Sequence, residues 1–145
     1  REDLKECVLV VAATDDAAEN HRIAQLAREN NIPVNAVDQQ EDCSFIFPSY
    51  LKHQDLVGAF SSAGNSPVLT QYLKEALKDI LTEELGQING YMGSIRPAVK
   101  MRIETEKQRR QVYRNVLAKL LAEEKTSLVP EELERILSQV NHTQM

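Results

Sequence analysis

The chain has 145 residues, 42% of them hydrophobic, with no Trp and a formal net charge of −5, a composition that fits one domain or two small units packed on aliphatic side chains. Its longest apolar run, Val8 to Ala13, is far short of a membrane span, and no stretch has the basic start and apolar middle of a secretory signal, so a cytoplasmic protein with no membrane partner is expected. Cys7 and Cys43 lie far apart without Cys-x-x-Cys spacing, which makes neither a disulfide framework nor a metal knuckle and leaves two reduced thiols.

Cys7 to Ala13 is a short continuous apolar run with three valines, the pattern of a strand buried on both faces of a parallel sheet. Thr14, Asp15 and Asp16 end it. From about Ala17 to Asn30 the apolar positions Ala17, Ala18, Ile23, Ala24, Leu26 and Ala27 lie mostly on one side of a helix, and "IPVNAVD" then reads as a second strand. Strand, helix, strand makes a right-handed βαβ unit with parallel strands. The chain begins at Arg1 without Met, and a strand of this central type needs neighbours on both sides. A piece of a longer protein is therefore expected, with the open edge of the Val8 to Ala13 strand covered by a partner or a crystal neighbour.

"SFIFPSYLKHQDLVGAFSS" holds two β-rich runs about the polar turn His53-Gln54-Asp55, the pattern of an antiparallel hairpin. Pro48 cannot donate to a ladder, so it marks an edge or a strand entry. In "SSAGNSPVL", Ser66 is a good N-cap and Pro67 suits the first helical position. Beyond it, Leu69, Tyr72, Leu73, Ala76, Leu77, Ile80 and Leu81 repeat at three and four, an apolar stripe wide enough to bury. Gly86, Gly90, Gly93 and Pro97 punctuate the next stretch. A basic helix then runs to about Ala122, and from Arg96 to Lys119 eight basic residues stand against Glu104 and Glu106. Pro130 opens a last helix with Leu133, Ile136, Leu137 and Val140 on one face, and Asn141 to Met145 is expected to fray.

In an open α/β sheet, ligands sit beyond the carboxyl ends of the parallel strands. "AATDD" and "NAVD" both finish there. Asp38, at the second strand end, is a candidate general acid or base, with a turn aspartate bonding nearby amides as the equal alternative. For one of Asp15 and Asp16, capping of the adjacent helix is the stronger reading. The helix start after Ser66, widened by Ser61, Ser62, Gly64 and Asn65, is a candidate site for a carboxylate or phosphate, because free amides and the dipole favour an anion. There is no complete Gly-x-Gly-x-x-Gly, no Walker sequence and no His-Glu-x-x-His. His21, His53 and His142 are dispersed, so no metal site is expected.

The order "AATDD", "NAVD", "SFIFPS", "SSAGNSPVL" and "LGQI" resembles the precorrin-2 dehydrogenase and sirohydrochlorin ferrochelatase family, found alone or as the amino-terminal part of siroheme synthase. The resemblance runs from about Leu4 to Ile95. It implies an α/β fold: an incomplete Rossmann-like parallel sheet, then a dimerisation hairpin and a small helical domain. The divisions it suggests are 1–47 for the carboxyl-terminal part of an NAD-binding domain, 48–78 for a dimerisation segment of hairpin plus helix, and 79–145 for a helical domain. The implied activity is NAD-dependent oxidation of precorrin-2 to sirohydrochlorin, with insertion of Fe2+ to give siroheme in bifunctional members, in a homodimer. By the same resemblance Asp38 is the catalytic residue, while Asn35, Ser61, Ser62, Gly64, Asn65 and Ser66 lie beside the tetrapyrrole. Ala13, Thr14 and Asp15 lie near NAD.

The eight carboxylates of the substrate call for donors opposite them, and Arg96, Lys100 and Arg102 are candidates on charge. The family's glycine-rich phosphate loop is expected before Arg1, which would leave this piece inactive as a dehydrogenase alone. Relatives commonly carry a second glycine where this chain has Ala63. A non-catalytic tetrapyrrole-binding or dimeric assembly module is the alternative reading. Nucleic acid is disfavoured, since an acidic remainder surrounds the basic helix and no aromatic platform accompanies it.

Overall fold

A computed structural model of the chain describes residues 4–142, with side chains as far as Val140. The end of the expected frayed tail, 143–145, lies outside the described residues. Two compact units emerge: the chain up to Tyr50 together with Ala59–Glu75, and Leu51–Gly58 together with the chain from Ala76 onward. The divisions between them fall inside the hairpin and near the end of the helix after it.

In the first unit, β1 (Val10–Ala12) and β2 (Val34–Ala36) pair in parallel with Val10 opposite Val34, and α1 (Ala17–Glu29) connects them. The βαβ order is the one the periodicity predicts. Asp16 is the residue that caps: its Oδ1 accepts from the amides of Ala18 at 2.8 Å and Glu19 at 3.3 Å, satisfying donors that a helix start leaves open. Ala24, Ala27 and Val34 are fully buried together, with Val10 and Ile32 against them, so small side chains let α1 lie close to the strands.

Two expectations of burial fail. The first strand was to be buried on both faces, yet Val8 is 85% and Val11 46% exposed. Among the described residues the sheet has two strands, and the faces α1 does not reach stay open. The stripe from Leu69 likewise stays open. α2 (Pro67–Leu77) has no buried residue, Tyr72 is 67% exposed, and only Leu81, beyond the helix, is buried. A repeating apolar pattern shapes a helix face but does not supply the surface that covers it.

β3 (Ser49–His53) and β4 (Leu56–Phe60) form the predicted hairpin about Gln54-Asp55, with Gln54 in the left-handed region at φ +53°. Pro48 stands immediately before β3, a strand entry. The residues ahead of it, Phe45 to Phe47, belong to no strand.

The second unit is helical: α3 (Glu83–Ser94), α4 (Arg96–Arg102), α5 (Glu106–Ala122) and α6 (Pro130–His142). The basic segment is two helices instead of one. Ile103 is extended and fully buried, and Thr105 caps α5 by accepting from the Gln108 amide at 3.3 Å. Val99, Ile103, Val112, Val116, Leu120 and Leu137 form the centre of the core. Gly86 is where the hairpin turn approaches α3, since a Cβ there would stand 2.8 Å from the His53 carbonyl oxygen.

Candidate functional site

The carboxyl ends of β1 and β2 and the serine-rich turn all belong to the first unit. At the end of β1, Thr14 is held by a residue that sequence reasoning missed. Asn20 Oδ1 accepts from the Thr14 amide at 2.9 Å and its hydroxyl at 2.8 Å, while Asn20 Nδ2 donates to the Thr14 carbonyl at 3.1 Å. Asn20 is buried, so this carboxamide substitutes for the strand partner Thr14 lacks. Asp15 beside it is exposed, and its carboxylate has no partner among the described residues.

Asp38 comes just after β2 with φ +60°, in a turn closed by the Gln39 amide donating to the Ala36 carbonyl at 3.3 Å. An aspartate tolerates this left-handed conformation better than most side chains do. Its carboxylate is exposed and accepts no hydrogen bond among the described residues. A turn aspartate bonding nearby amides would use that carboxylate; here it is left to solvent.

Asn35 is the central residue of β2. It is buried, and its Nδ2 donates to the Phe45 carbonyl at 3.0 Å. Ser44 exchanges bonds with Val34 through its amide (2.7 Å, to the carbonyl) and its Oγ (2.8 Å, from the amide), and the Ala36 amide donates to Cys43 Sγ at 3.2 Å. The segment 43–45 thus covers the free edge of β2. Nothing in the spacing of these residues announces that clasp, because it is made by an irregular loop.

The serine-rich turn is built largely from its own bonds. Ser61 Oγ accepts from the Ala63 amide at 3.2 Å, Ser62 Oγ from the Ser66 amide at 2.9 Å, and Ser66 Oγ from the Leu69 amide at 3.2 Å. The Asn65 amide donates to the Ser62 carbonyl at 3.0 Å. Ser66 therefore caps α2 as predicted, and the amides of Ala63, Asn65, Ser66 and Leu69 are consumed inside the turn. Each of the three hydroxyls still has its own proton to give. Gln40 Nε2 donates to the Ala63 carbonyl at 3.0 Å, and a Cβ on Gly64 would stand 2.6 Å from that side chain. Gly64 at φ +83° and Ala63 at φ +52° are both left-handed. A glycine at 63 would be the relaxed choice there, and alanine costs about 1–2 kcal/mol in that region. A cavity of about 360 Å³ between the turn and the clasp is lined by Gln40, Cys43, Phe45, Ser61 and Ala63 among others.

His21 and Asp42 are the unit's other unforeseen pair. Buried Asp42 bonds His21 Nδ1 at 2.7 Å and stands 3.6 Å from Arg28. Twenty-one residues separate the partners, and only the return of the chain after β2 brings them together. Among the described residues no cluster of three or more His, Cys, Asp or Glu is arranged to hold a metal.

In the second unit the three basic residues chosen on charge differ in fate. Arg102 pairs with Glu134. Arg96 lies over the Tyr113 ring, 5.6 Å from its centroid, and Lys100 is exposed.

Residues 1–49 match a family described as putative NAD(P)-binding, and residues 84–139 match the sirohaem synthase dimerisation region. The siroheme synthase of Nitrosospira multiformis is 43% identical over 122 residues, 84% of this chain, and that of Sodalis glossinidius 40% over 139 residues, 93% of it. The chain is similar to the amino-terminal region of siroheme synthases, and it spans only 26% and 30% of those two. The solved structure of SirC, a precorrin-2 dehydrogenase, superposes with a TM-score of 0.66 over 97% of this chain and 66% of its own, at 22% identity, which supports the Rossmann-like fold. The dimerisation-region match runs from α3 into α6. No helix among the described residues is long and apolar enough to cross a membrane.

Proposed function

We propose that this chain is the dehydrogenase portion of a siroheme-forming enzyme, oxidising precorrin-2 to sirohydrochlorin with NAD, in a cytoplasmic homodimer. The observation that carries the reading is the family match, with an NAD(P)-binding and a dimerisation region in that order on one chain. The free carboxylate of Asp38 at the sheet's carboxyl edge supplies the chemistry.

The residues present fit part of the dinucleotide. The start of α1 is no seat for its pyrophosphate, because Asp16 already occupies the amides of Ala18 and Glu19 and adds a negative charge. Ala13, Thr14 and Asp15 suit an uncharged portion, with the unbonded Asp15 carboxylate an acceptor for a ribose hydroxyl. Bound there, NAD would accept the hydride.

Oxidation also releases a proton, and Asp38 is the group positioned to take it. The hydroxyl protons of Ser61, Ser62 and Ser66 suit a carboxylate of the substrate, held by a turn that its own bonds make rigid. Insertion of Fe2+ as a second substrate would ask Asp38 for the same service, since pyrrole protons leave as the metal enters.

The test monitors NADH formation by the full-length enzyme supplied with precorrin-2. Asp38→Asn is expected to lower kcat about a hundredfold or more with KM for NAD little changed. Wild-type kcat in that variant removes Asp38 from the mechanism. A full-length protein that leaves precorrin-2 unoxidised refutes the reading.

A further inference from the structure

In the turn from β1 into α1 most backbone donors are already committed to side chains. The Thr14 amide goes to Asn20, the Asp16 amide to the Thr14 hydroxyl, and the amides of Ala18 and Glu19 to Asp16. By contrast, the Ala13 carbonyl and the Asp15 amide take no hydrogen bond among the described residues, and both residues are exposed. One buried side chain decides which way these two free groups face.

Asn20 is 3% exposed and grips both backbone groups of Thr14, its Oδ1 accepting from the amide and its Nδ2 donating to the carbonyl. A backbone donor and a backbone acceptor leave the carboxamide one orientation. No peptide bond among the described residues is cis, and across a trans peptide the carbonyl and the N–H point in opposite directions. The Thr14 amide faces Asn20, so the Ala13 carbonyl faces away from it. The Thr14 carbonyl faces Asn20 too, so the Asp15 N–H also faces away. Asn20 thereby presents an acceptor and a donor on the outer side of the β1 end.

Taking the dinucleotide from the function proposed above, we propose that Asn20 is a positioning residue for it, holding the Ala13 carbonyl and the Asp15 N–H as a fixed acceptor and donor for an uncharged portion of NAD. Asn20 acts through Thr14 and does not itself reach the ligand. Both presented groups are neutral, and the carboxylates of Asp15 and Asp16 in the same turn repel phosphate. Hydroxyl and amide groups are the chemistry that matches. A pair oriented before binding spares the ligand the cost of ordering it, so loss of the carboxamide is read in affinity.

Hydrogen exchange of the full-length protein, with and without NAD, reads the pair directly. In the wild type the Thr14 amide should exchange slowly in both states, while the Asp15 amide should slow about tenfold or more when NAD is saturating. Asn20→Ala removes the grip. Asn20→Asp keeps the size and an acceptor for the Thr14 amide but sets an oxygen against the Thr14 carbonyl. Each variant is expected to raise Kd for NAD about fivefold or more, the scale of a lost hydrogen bond. In precorrin-2 oxidation KM for NAD should rise in step with kcat little changed, whereas loss of folded protein would lower the apparent kcat instead. An Asp15 amide that stays unprotected in a wild type that binds NAD, or wild-type Kd in folded Asn20→Ala, overturns this inference and leaves the proposed function standing. The wild-type exchange needs no variant to fold and decides by itself. A wild type that does not bind NAD overturns both.

Discussion

The two units of this chain bury apolar residues in opposite ways. In the helical unit, stripes on α3 to α6 meet one another, and Val112, Val116 and Leu120 on successive turns of α5 are wholly enclosed. In the βαβ unit the enclosed cluster is Ala24, Ala27 and Val34, while Val8, Val11, Leu69 and Tyr72 face outward. The helical unit finds its covering elements within itself; the βαβ unit relies instead on polar clasps, Asn20 on Thr14 and the 43–45 segment on β2. Apolar periodicity therefore predicts which side of an element is sticky, and the presence of a partner decides whether that side is buried.

Substitutions that attack each kind of support should separate the units. Leu120→Ala removes a fully buried side chain and is expected to cost about 2–5 kcal/mol in denaturant unfolding of the helical unit. A cost below about 1 kcal/mol would show that this core closes up easily and is not the rigid part of the chain. Asn20→Ala strips the partners from the Thr14 amide and carbonyl and should cost about 1–3 kcal/mol. Hydrogen exchange should show the loss at Thr14 and α1, with protection in α5 unchanged; equal loss in α5 would mean that the units do not unfold separately.

The smallest effect is electrostatic and lies where α5 meets α6. Hydrogen bonds from Lys119, with help from Lys125, hold the Glu123 and Glu132 carboxyls below the usual range, and bonds from Glu123 and then Glu132 raise both lysines. The carboxylates' contribution is present above their ordinary pKa and is lost as pH falls through the lowered folded values. The lysines' contribution is present below their ordinary pKa and is lost as pH rises through the raised ones. These are surface groups, so a small, salt-sensitive decline in the unfolding midpoint is expected at each extreme. Glu123→Gln with Glu132→Gln should flatten the acid limb, and an identical acid limb in that double variant would deny these carboxylates a part.

Local signals were legible wherever one residue acts on its neighbours. Ser66 and Pro67 start α2, Asp16 caps α1, Pro130 opens α6, and Gln54-Asp55 turns the hairpin. Thr105 was just as local a cap, but the charge pattern around it concealed the break between α4 and α5. The serine turn was legible as a turn, but composition counts hydroxyls and cannot show which amides they already serve. His21 with Asp42, Gln40 with Ala63 and Asn35 with Phe45 were invisible, each pair being ten or more residues apart.

By itself the sequence determined the order of most elements and several of their ends, because caps, turn residues and apolar periods act over a few residues and survive without knowledge of the rest. Only the tertiary structure decided what each polar side chain is bonded to: that Asp38 and Asp15 are unpaired, that Asn35 is committed to a loop, and that Arg96 lies over Tyr113 while Arg102 is neutralised. The reason is geometric. A hydrogen bond or ion pair forms over a few ångströms of space, and which residues share that space is fixed by the path of the whole chain.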